Sequence, residues 1–478
     1  LQNRCPNRSF TILEGRENIG GTWDLFKYPG IRSDSDMHTM GFRFKPWKSS
    51  KTIADGPSIL DYLDETVEEN NLRQKIQFSK KLIKASWSSQ ESLWNLQIEN
   101  QLDKSIEELT CNFLFMCGGY YNYDEGYTPK FKGIENFKGQ IVHPQKWTDD
   151  VNYNDKNVIV IGSGATAVTI VPEMAKKAKH VTMLQRSPTY VVSAPEKDPV
   201  AKILQNFLPN KAAYFFVRWK NIIRQHWFFT LCKKNPKRVK DFILSQIRKE
   251  LGPNYDIKKH FTPNYNPWDQ RMCLVPNGDL FESIKNKKAS VVTDQIDHFT
   301  DKGIKLKSGD ELGADLVVTA TGLNMELLSN IELIVDEEKI DLSKTPFINI
   351  TWKVEKDLPG ILENTKKGHD FAARVFVIKK TGATPLSNRA INYVFSSNSE
   401  VGLNSPSPYT KKSIDNVLAT TRENLNEWVT VKANVKEDFK RFHNLNVNQL
   451  DGLAIMVDTD NSKMKAISYF QNIYFSEN

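Results

Sequence analysis

The 478-residue chain is poor in cysteine: Cys5, Cys111, Cys117, Cys232 and Cys273 are all it has, and no two stand in a CxxC pair. An odd, scattered set excludes a disulfide scaffold and a cysteine-based zinc site, and it fits reduced thiols in a cytoplasmic setting. No apolar run approaches the roughly 18 residues that a spanning helix needs. No charge of one sign dominates, since 65 basic residues face 57 acidic ones for a net +8. The densest basic stretch, Lys233 to Lys240, reads as a helix end, so a nucleic-acid partner is not expected. Internal repeats and low-complexity linkers are absent too. What is present, 39% hydrophobic and 26% charged residues, supplies cores for two or three domains. One aromatic and basic stretch, 212–230, runs at helical spacing; burial of its apolar face is the expectation, and contact with a membrane surface is the alternative.

The clearest motif lies mid-chain. The apolar strand 157–161 runs into Gly162-Ser163-Gly164-Ala165-Thr166-Ala167, then a helical stretch from Val168 to Ala178, then a second strand from His180 to Leu184. This is the strand–turn–helix–strand unit of a dinucleotide fold. Gly162 makes the tight turn, Gly164 lets the backbone approach a pyrophosphate, and Ala167 allows close helix–strand packing. The helix start offers free N–H groups to the phosphates. An acidic residue at the end of the second strand would hold an NAD ribose, but Arg186 and Ser187 stand there instead, so the expected ligand is NADPH.

The chain opens with a second such signal. Ser9 to Leu13 reads as a strand, and Glu14 closes it with the carboxylate that a ribose diol, as in FAD, calls for. The first strand and Gly-rich loop of that unit would precede Leu1, so the sequence reads as a truncated nucleotide domain. The apolar stretches 113–119 and 316–322 each end in small residues and are expected as return strands of the two nucleotide units.

Residues 20–34, with the motif Phe137, Gly139, His143 and Trp147, the loop 162–167, Asn266 to Arg271 and 320–322, together resemble the Baeyer–Villiger-type flavin monooxygenases. Thr148 departs from the Pro or Asp that the family motif has at that position. The resemblance runs from residue 1 to about 345. It implies an α/β flavoprotein with two dinucleotide-binding, Rossmann-like domains. Residues 1–148 would be the FAD-binding domain and 149–322 the NADP-binding domain, with a helical insertion at about 190–275; residues 323–345 would return toward the FAD domain. The implied reaction inserts one oxygen atom of O2 into a ketone, giving an ester, or onto sulfur, through a C4a-peroxyflavin. By the same resemblance, Arg271 is the cation beside the peroxide and Asp34 orients it. FAD contacts fall on Glu14, Thr22, Trp23, Asp24, Leu25, Arg32, Ser33, Asp34 and Leu82. NADPH contacts fall on Gly162 to Val168, Arg186 and Ser187. Phe137, Gly139, His143 and Trp147 couple the domains.

The resemblance stops near Thr345. Short apolar segments at 346–354, 371–377, 390–395, 427–431 and 453–457, separated by polar turns, predict an unrelated C-terminal β-sandwich over 346–478, with one helix at 412–425. This part faintly resembles a bacterial domain of unknown function. Asp458-Thr459-Asp460-Asn461 lacks the spacing and closing Glu of a calcium loop, so a turn and no metal are expected. The alternative function is an inactive, truncated monooxygenase fused to a β-sandwich binding domain.

Overall fold

The structure is a computed structural model that describes residues 2, 4–335, 341–382 and 387–478, without the side chains of residues 327 and 328. Part of the expected return segment, residues 336–340, lies outside the described residues. The chain divides into two compact units. The first comprises Leu1–Ile83, Ile98–Glu107 and Met116–Asn330; the second comprises Lys84–Gln97, Glu108–Phe115 and Ile331–Asn478.

The first unit is organised by a five-stranded sheet in the order Ala289–Thr293, His180–Gln185, Asn157–Ile161, Leu316–Thr319, Gln140–Val142, with every neighbouring pair parallel. Val158, Ile159 and Val160, and likewise Leu316, Val317 and Val318, are at most 1% exposed, as central strands covered on both faces must be. The helix Ala165–Met174 leaves the Gly-rich turn and buries Ala167, Val168, Ile170, Val171 and Met174 against this sheet. Two further strands, Tyr190–Ala194 and Met272–Pro276, pair in parallel. Between them run the helices Pro199–Phe207, Asn210–Lys234 and Pro236–Leu251. Asp198 caps the first, accepting from the N–H groups of Val200 and Ala201, and proline opens both the first and the third.

Two expectations fail here. The opening strand shrinks to Ile12–Leu13, paired in parallel with Ile76–Gln77. The stretch 113–119 forms no strand; Phe113 and Phe115 are 75% and 74% exposed. An apolar segment becomes a strand only where a neighbour accepts its ladder of hydrogen bonds, and none of the described residues supplies one. The long helix departs from expectation as well. Asn210–Lys234 buries Ala213, Tyr214, Val217, Asn221 and Cys232, while Phe215, Phe216, Trp219, Ile223 and Trp227 face outward.

The second unit is mostly strands. Glu332–Val335 pairs in parallel with the run Lys84 to Trp87. A three-stranded sheet, Val429–Asn434, Phe347–Lys356, Ile467–Ser476, and a five-stranded sheet, Asn404–Ser407, Thr410–Thr420, Arg389–Ser396, Ala373–Lys379, Gly452–Met456, share one core. In that core Ile348, Ile350 and Trp352 of one sheet meet Val375, Val377, Tyr393 and Phe395 of the other. The expected helix at 412–425 is the strand Thr410–Thr420 followed by the short helix Thr421–Asn424. The strand lies between two others and buries Ile414 through Val417 on both faces, so packing overrides helical spacing. A helix does form at Val435–His443, where none was expected; Asn434 caps it through the Glu437 N–H at 3.1 Å.

Candidate active site

The Gly-rich turn is built for close approach. Gly162 has φ +142°, and a Cβ there would lie 2.3 Å from the carbonyl oxygen of Ala320 on the neighbouring strand. Ser163 hydrogen-bonds the Ser187 carbonyl at 3.2 Å and Thr189 Oγ1 at 3.0 Å, tying the loop to the end of the second strand. Gly164 is the helix N-cap and has no side chain to satisfy the first amides of Ala165–Met174, so those amides are free for a phosphate. Arg186 and Ser187 are exposed at the strand end. Gln185 is buried instead, donating to the His260 carbonyl and Thr293 Oγ1. This cradle fits a dinucleotide whose ribose carries a 2′-phosphate.

Arg271 stands over that cradle. Its Nη1 lies 3.1 Å from where a Cβ on Gly164 would begin. Beneath, Cys273 is 2% exposed and its thiol points toward the Ser163 carbonyl at 3.9 Å. Burial pushes that thiol up to about 12; the Asp34 charge adds to the rise and the Arg271 charge opposes it. Asp34 and Arg271 therefore bear on one point from the two nucleotide-binding segments. No ion pair within 4.0 Å joins them among the described residues. Asp34 is solvent-facing but enclosed on its other sides, and that partial desolvation raises its carboxyl, with Arg32 opposing.

The segment around Asp34 is wedged against the nucleotide helix. Tyr28 is 7% exposed, and burial lifts its hydroxyl to about 12, with Thr166 opposing the rise. Gly30 has φ +75°, and a Cβ there would touch Glu173 at 3.0 Å. Arg32 donates to Asp279 at 2.6 Å, while its Nη2 is buried without a partner among the described residues. Ser33 is buried and holds the Ser35 main chain.

The remaining predicted flavin contacts divide by what their side chains already do. Thr22, Trp23, Asp24 and Leu25 form one helical turn after the left-handed Gly20 and Gly21. Asp24 is buried and its carboxylate is taken by Arg16 at 2.6 Å and Lys27 at 3.4 Å. Glu14 is half-buried, accepts from the Arg16 N–H at 3.0 Å, and is raised by burial. Leu82 is half-buried. The main-chain N–H groups of Trp23 and Leu25 are taken by the Gly20 and Gly21 carbonyls, so the Glu14 carboxylate is the group that fits a flavin nucleotide, with Asp24 as a brace.

The residues of the expected coupling motif are anchored firmly. His143 Nδ1 accepts from the Gln145 N–H at 3.2 Å, which leaves Nε2–H to donate to the Gly322 carbonyl at 3.1 Å. Burial lowers its pKa. Gly126 makes room for the ring, since a Cβ there would fall 1.9 Å from it. Phe137 and Trp147 are buried, and Gly139 lies against Phe137 and the Asp315 carbonyl.

Several residues beside Arg271 carry no signal in the sequence. Tyr265 donates to the Arg271 carbonyl at 2.9 Å, and the fully buried Tyr190 donates to the Tyr265 carbonyl at 2.7 Å. Trp268, three residues before Arg271, sits at φ +66°, a costly conformation for an aromatic residue. Lys233 grips its carbonyl at 3.2 Å and Asp269 at 2.8 Å.

Residues 52–327 match the family described as flavin-binding monooxygenase-like, and residues 323–474 match a protein family of unknown function, DUF3047. The chain is 54% identical over 346 residues to FAD-containing monooxygenase EthA of Mycobacterium tuberculosis, covering 72% of this chain and 70% of that protein. It is 50% identical over 346 residues to the probable FAD-binding monooxygenase AlmA of Acinetobacter baylyi, covering 72% and 69%. Its fold is similar to that of OTEMO crystallised with FAD and NADP, at TM-score 0.57 and 22% identity over 70% of each chain. It is similar also to oxidized steroid monooxygenase bound to NADP, with the same score, identity and coverage. The family match over more than half of the chain and the relatives at 50% identity or more establish that the chain belongs to the flavin-binding monooxygenase-like family.

Proposed function

We propose that this chain inserts one oxygen atom from O2 beside a ketone carbonyl, or onto a soft sulfur, using FAD and NADPH. The observation that carries the reading is the guanidinium of Arg271 against Gly164, on the same thiol that feels Asp34. Bound FAD would supply the redox chemistry, taking hydride from NADPH and activating O2. The protein's own part is electrostatic and positional. The amides of 164–167 bind the pyrophosphate, and Arg186 and Ser187 select the 2′-phosphate. Arg271 is a fixed cation where negative charge develops, and it favours the anionic nucleophile over its protonated form. Asp34 sets the field around it. His143, bonded to the Gly322 carbonyl, couples the strand Gln140–Val142 to the return turn, so the coupling motif moves with the nucleotide sheet.

The experiment is turnover of a ketone and a thioether by the full chain, compared with Arg271→Ala. The variant should keep consuming NADPH and release hydrogen peroxide in place of oxygenated product. Unchanged product yield removes Arg271 from the reaction.

A second reading is a chain that folds but does not retain flavin. It is favoured by the two-residue pairing of Ile12–Leu13 and by the solvent-facing Phe113 and Phe115. Bound-flavin absorbance after gel filtration separates the two. For location, among the described residues no helix is long and apolar enough to cross a membrane. The outward aromatics of Asn210–Lys234, with Lys211, Arg224 and Lys234 beside them, support peripheral contact with an anionic membrane surface.

A further inference from the structure

The β-rich unit carries a second cavity, unrelated to the cofactor cradles. It measures about 270 Å³ and opens at one end of the five-stranded sheet, lined among others by His369, Arg374, Asn392, Tyr409, Asp458 and Asp460. A β-sandwich core needs no such groups, and burying ion pairs gives little net stability. Their concentration at one cavity therefore asks for a ligand.

Arg374 is the key. It is 3% exposed, and its Nη2 donates to the His369 carbonyl at 2.9 Å and to the Asp458 carboxylate. Its guanidinium lies 4.8 Å from the Phe371 ring centroid and 5.8 Å from that of Phe376. Its Nε is buried and finds no acceptor among the described residues. A buried cationic donor left unpaired at the wall of a cavity is costly unless something there accepts from it. Around it the polar groups are fixed rather than floppy. His369 Nε2 meets Asp415 Oδ2 at 2.7 Å, and Asn392 Nδ2 donates to Asp415 Oδ1 at 2.6 Å.

The charges decide the ligand class. Asp370, Asp415, Asp458 and Asp460 outnumber Arg374, so an anion is repelled. Asp370, Asp458 and Asp460 do bring oxygens within 4.8 Å of one another, as a metal would need. Yet Asp370 already accepts from the Asn461 and Ser462 main chain, and Asp458 is held by a guanidinium that a metal ion would have to face. What remains is a neutral ligand that both donates to carboxylates and accepts from a guanidinium. It also needs an apolar side to lie on the Tyr409 ring, which stands edge-on to His369 with centroids 5.6 Å apart. Vicinal hydroxyls on a carbon ring have these properties, and the cavity has room for one such ring.

We propose that this cavity binds a saccharide, with adjacent hydroxyls bridging Arg374 and the Asp458–Asp460 pair and a C–H face against Tyr409. The test is calorimetric titration of the full chain with the methyl glycosides of glucose, galactose, mannose and N-acetylglucosamine, and separately with calcium chloride. Asp460→Asn and Tyr409→Ala alter exposed side chains; the second also gives up the hydroxyl's bonds to the Lys366 carbonyl and Asn461 Oδ1, so a melting temperature measured on each variant checks that the fold is kept. Expected is saturable binding of at least one glycoside, weakened tenfold or more in both variants. Absence of saturable binding across the glycosides overturns the proposal, and so does binding that both variants retain. A saturable calcium response lost in Asp460→Asn, without glycoside binding, overturns it in favour of a cation site.

Discussion

Tyr265 donates its hydroxyl hydrogen to the main-chain carbonyl of Arg271 at 2.9 Å, and Tyr190 holds Tyr265 in turn at 2.7 Å. The two rings meet edge to face, centroids 5.3 Å apart. The arginine is thus fixed through its backbone while its side chain stays free to meet the cofactors. Tyr265→Phe removes one hydrogen bond, worth about 1 kcal/mol. The fold should survive, and the fraction of NADPH oxidised without oxygenated product should rise severalfold. A coupling ratio equal to wild type would mean that the strut does not position Arg271.

Gly162 admits no side chain. Alanine there meets both a left-handed backbone and the Ala320 carbonyl at 2.3 Å, so Gly162→Ala should lose about 3 kcal/mol of stability, read from urea unfolding.

His143 supplies a pH dependence. Its folded pKa is lowered by burial from 6.5. The unfolded chain therefore binds the proton more readily, and the stability that neutral His143 contributes is full above 6.5 and is lost as pH falls below it. Protonated Nδ1 would also turn a donor toward the Gln145 N–H. His143→Gln should flatten the fall in melting temperature below pH 6.5; an unaltered profile would assign that fall to other groups.

Trp219 and Trp227 test the membrane surface. Both are exposed on the same long helix. Changing both to Ser should cut sedimentation with phosphatidylserine vesicles severalfold and leave NADPH oxidation untouched. High salt should weaken the wild-type association as well, because the basic residues contribute through a screened field.

Sequence order was informative where a segment's partners are near in the chain. The loop 162–167 was legible because strand, turn and helix follow one another, and Leu316–Thr319 because a fully buried strand must be continuously apolar. Spacing misled where distant pairing decides. The stretch 412–425 has helical periodicity, but two flanking strands claim it; 113–119 looks like a strand and finds no edge to join. The helix Val435–His443 did leave a trace, Asn434 followed three residues later by Glu437, which is a capping signal. Tyr265 and Tyr190 left none, because a tyrosine that braces a backbone carbonyl has no spacing rule.

Cys273 gives the site a chemical safeguard. The thiolate of cysteine attacks peroxide, and the thiol hardly reacts. Burial holds the Cys273 thiol protonated, with its pKa pushed up to about 12, and so resistant to oxidation. When turnover leaks, damage should begin at the solvent-facing Cys5 and Cys117 and spare the buried Cys273.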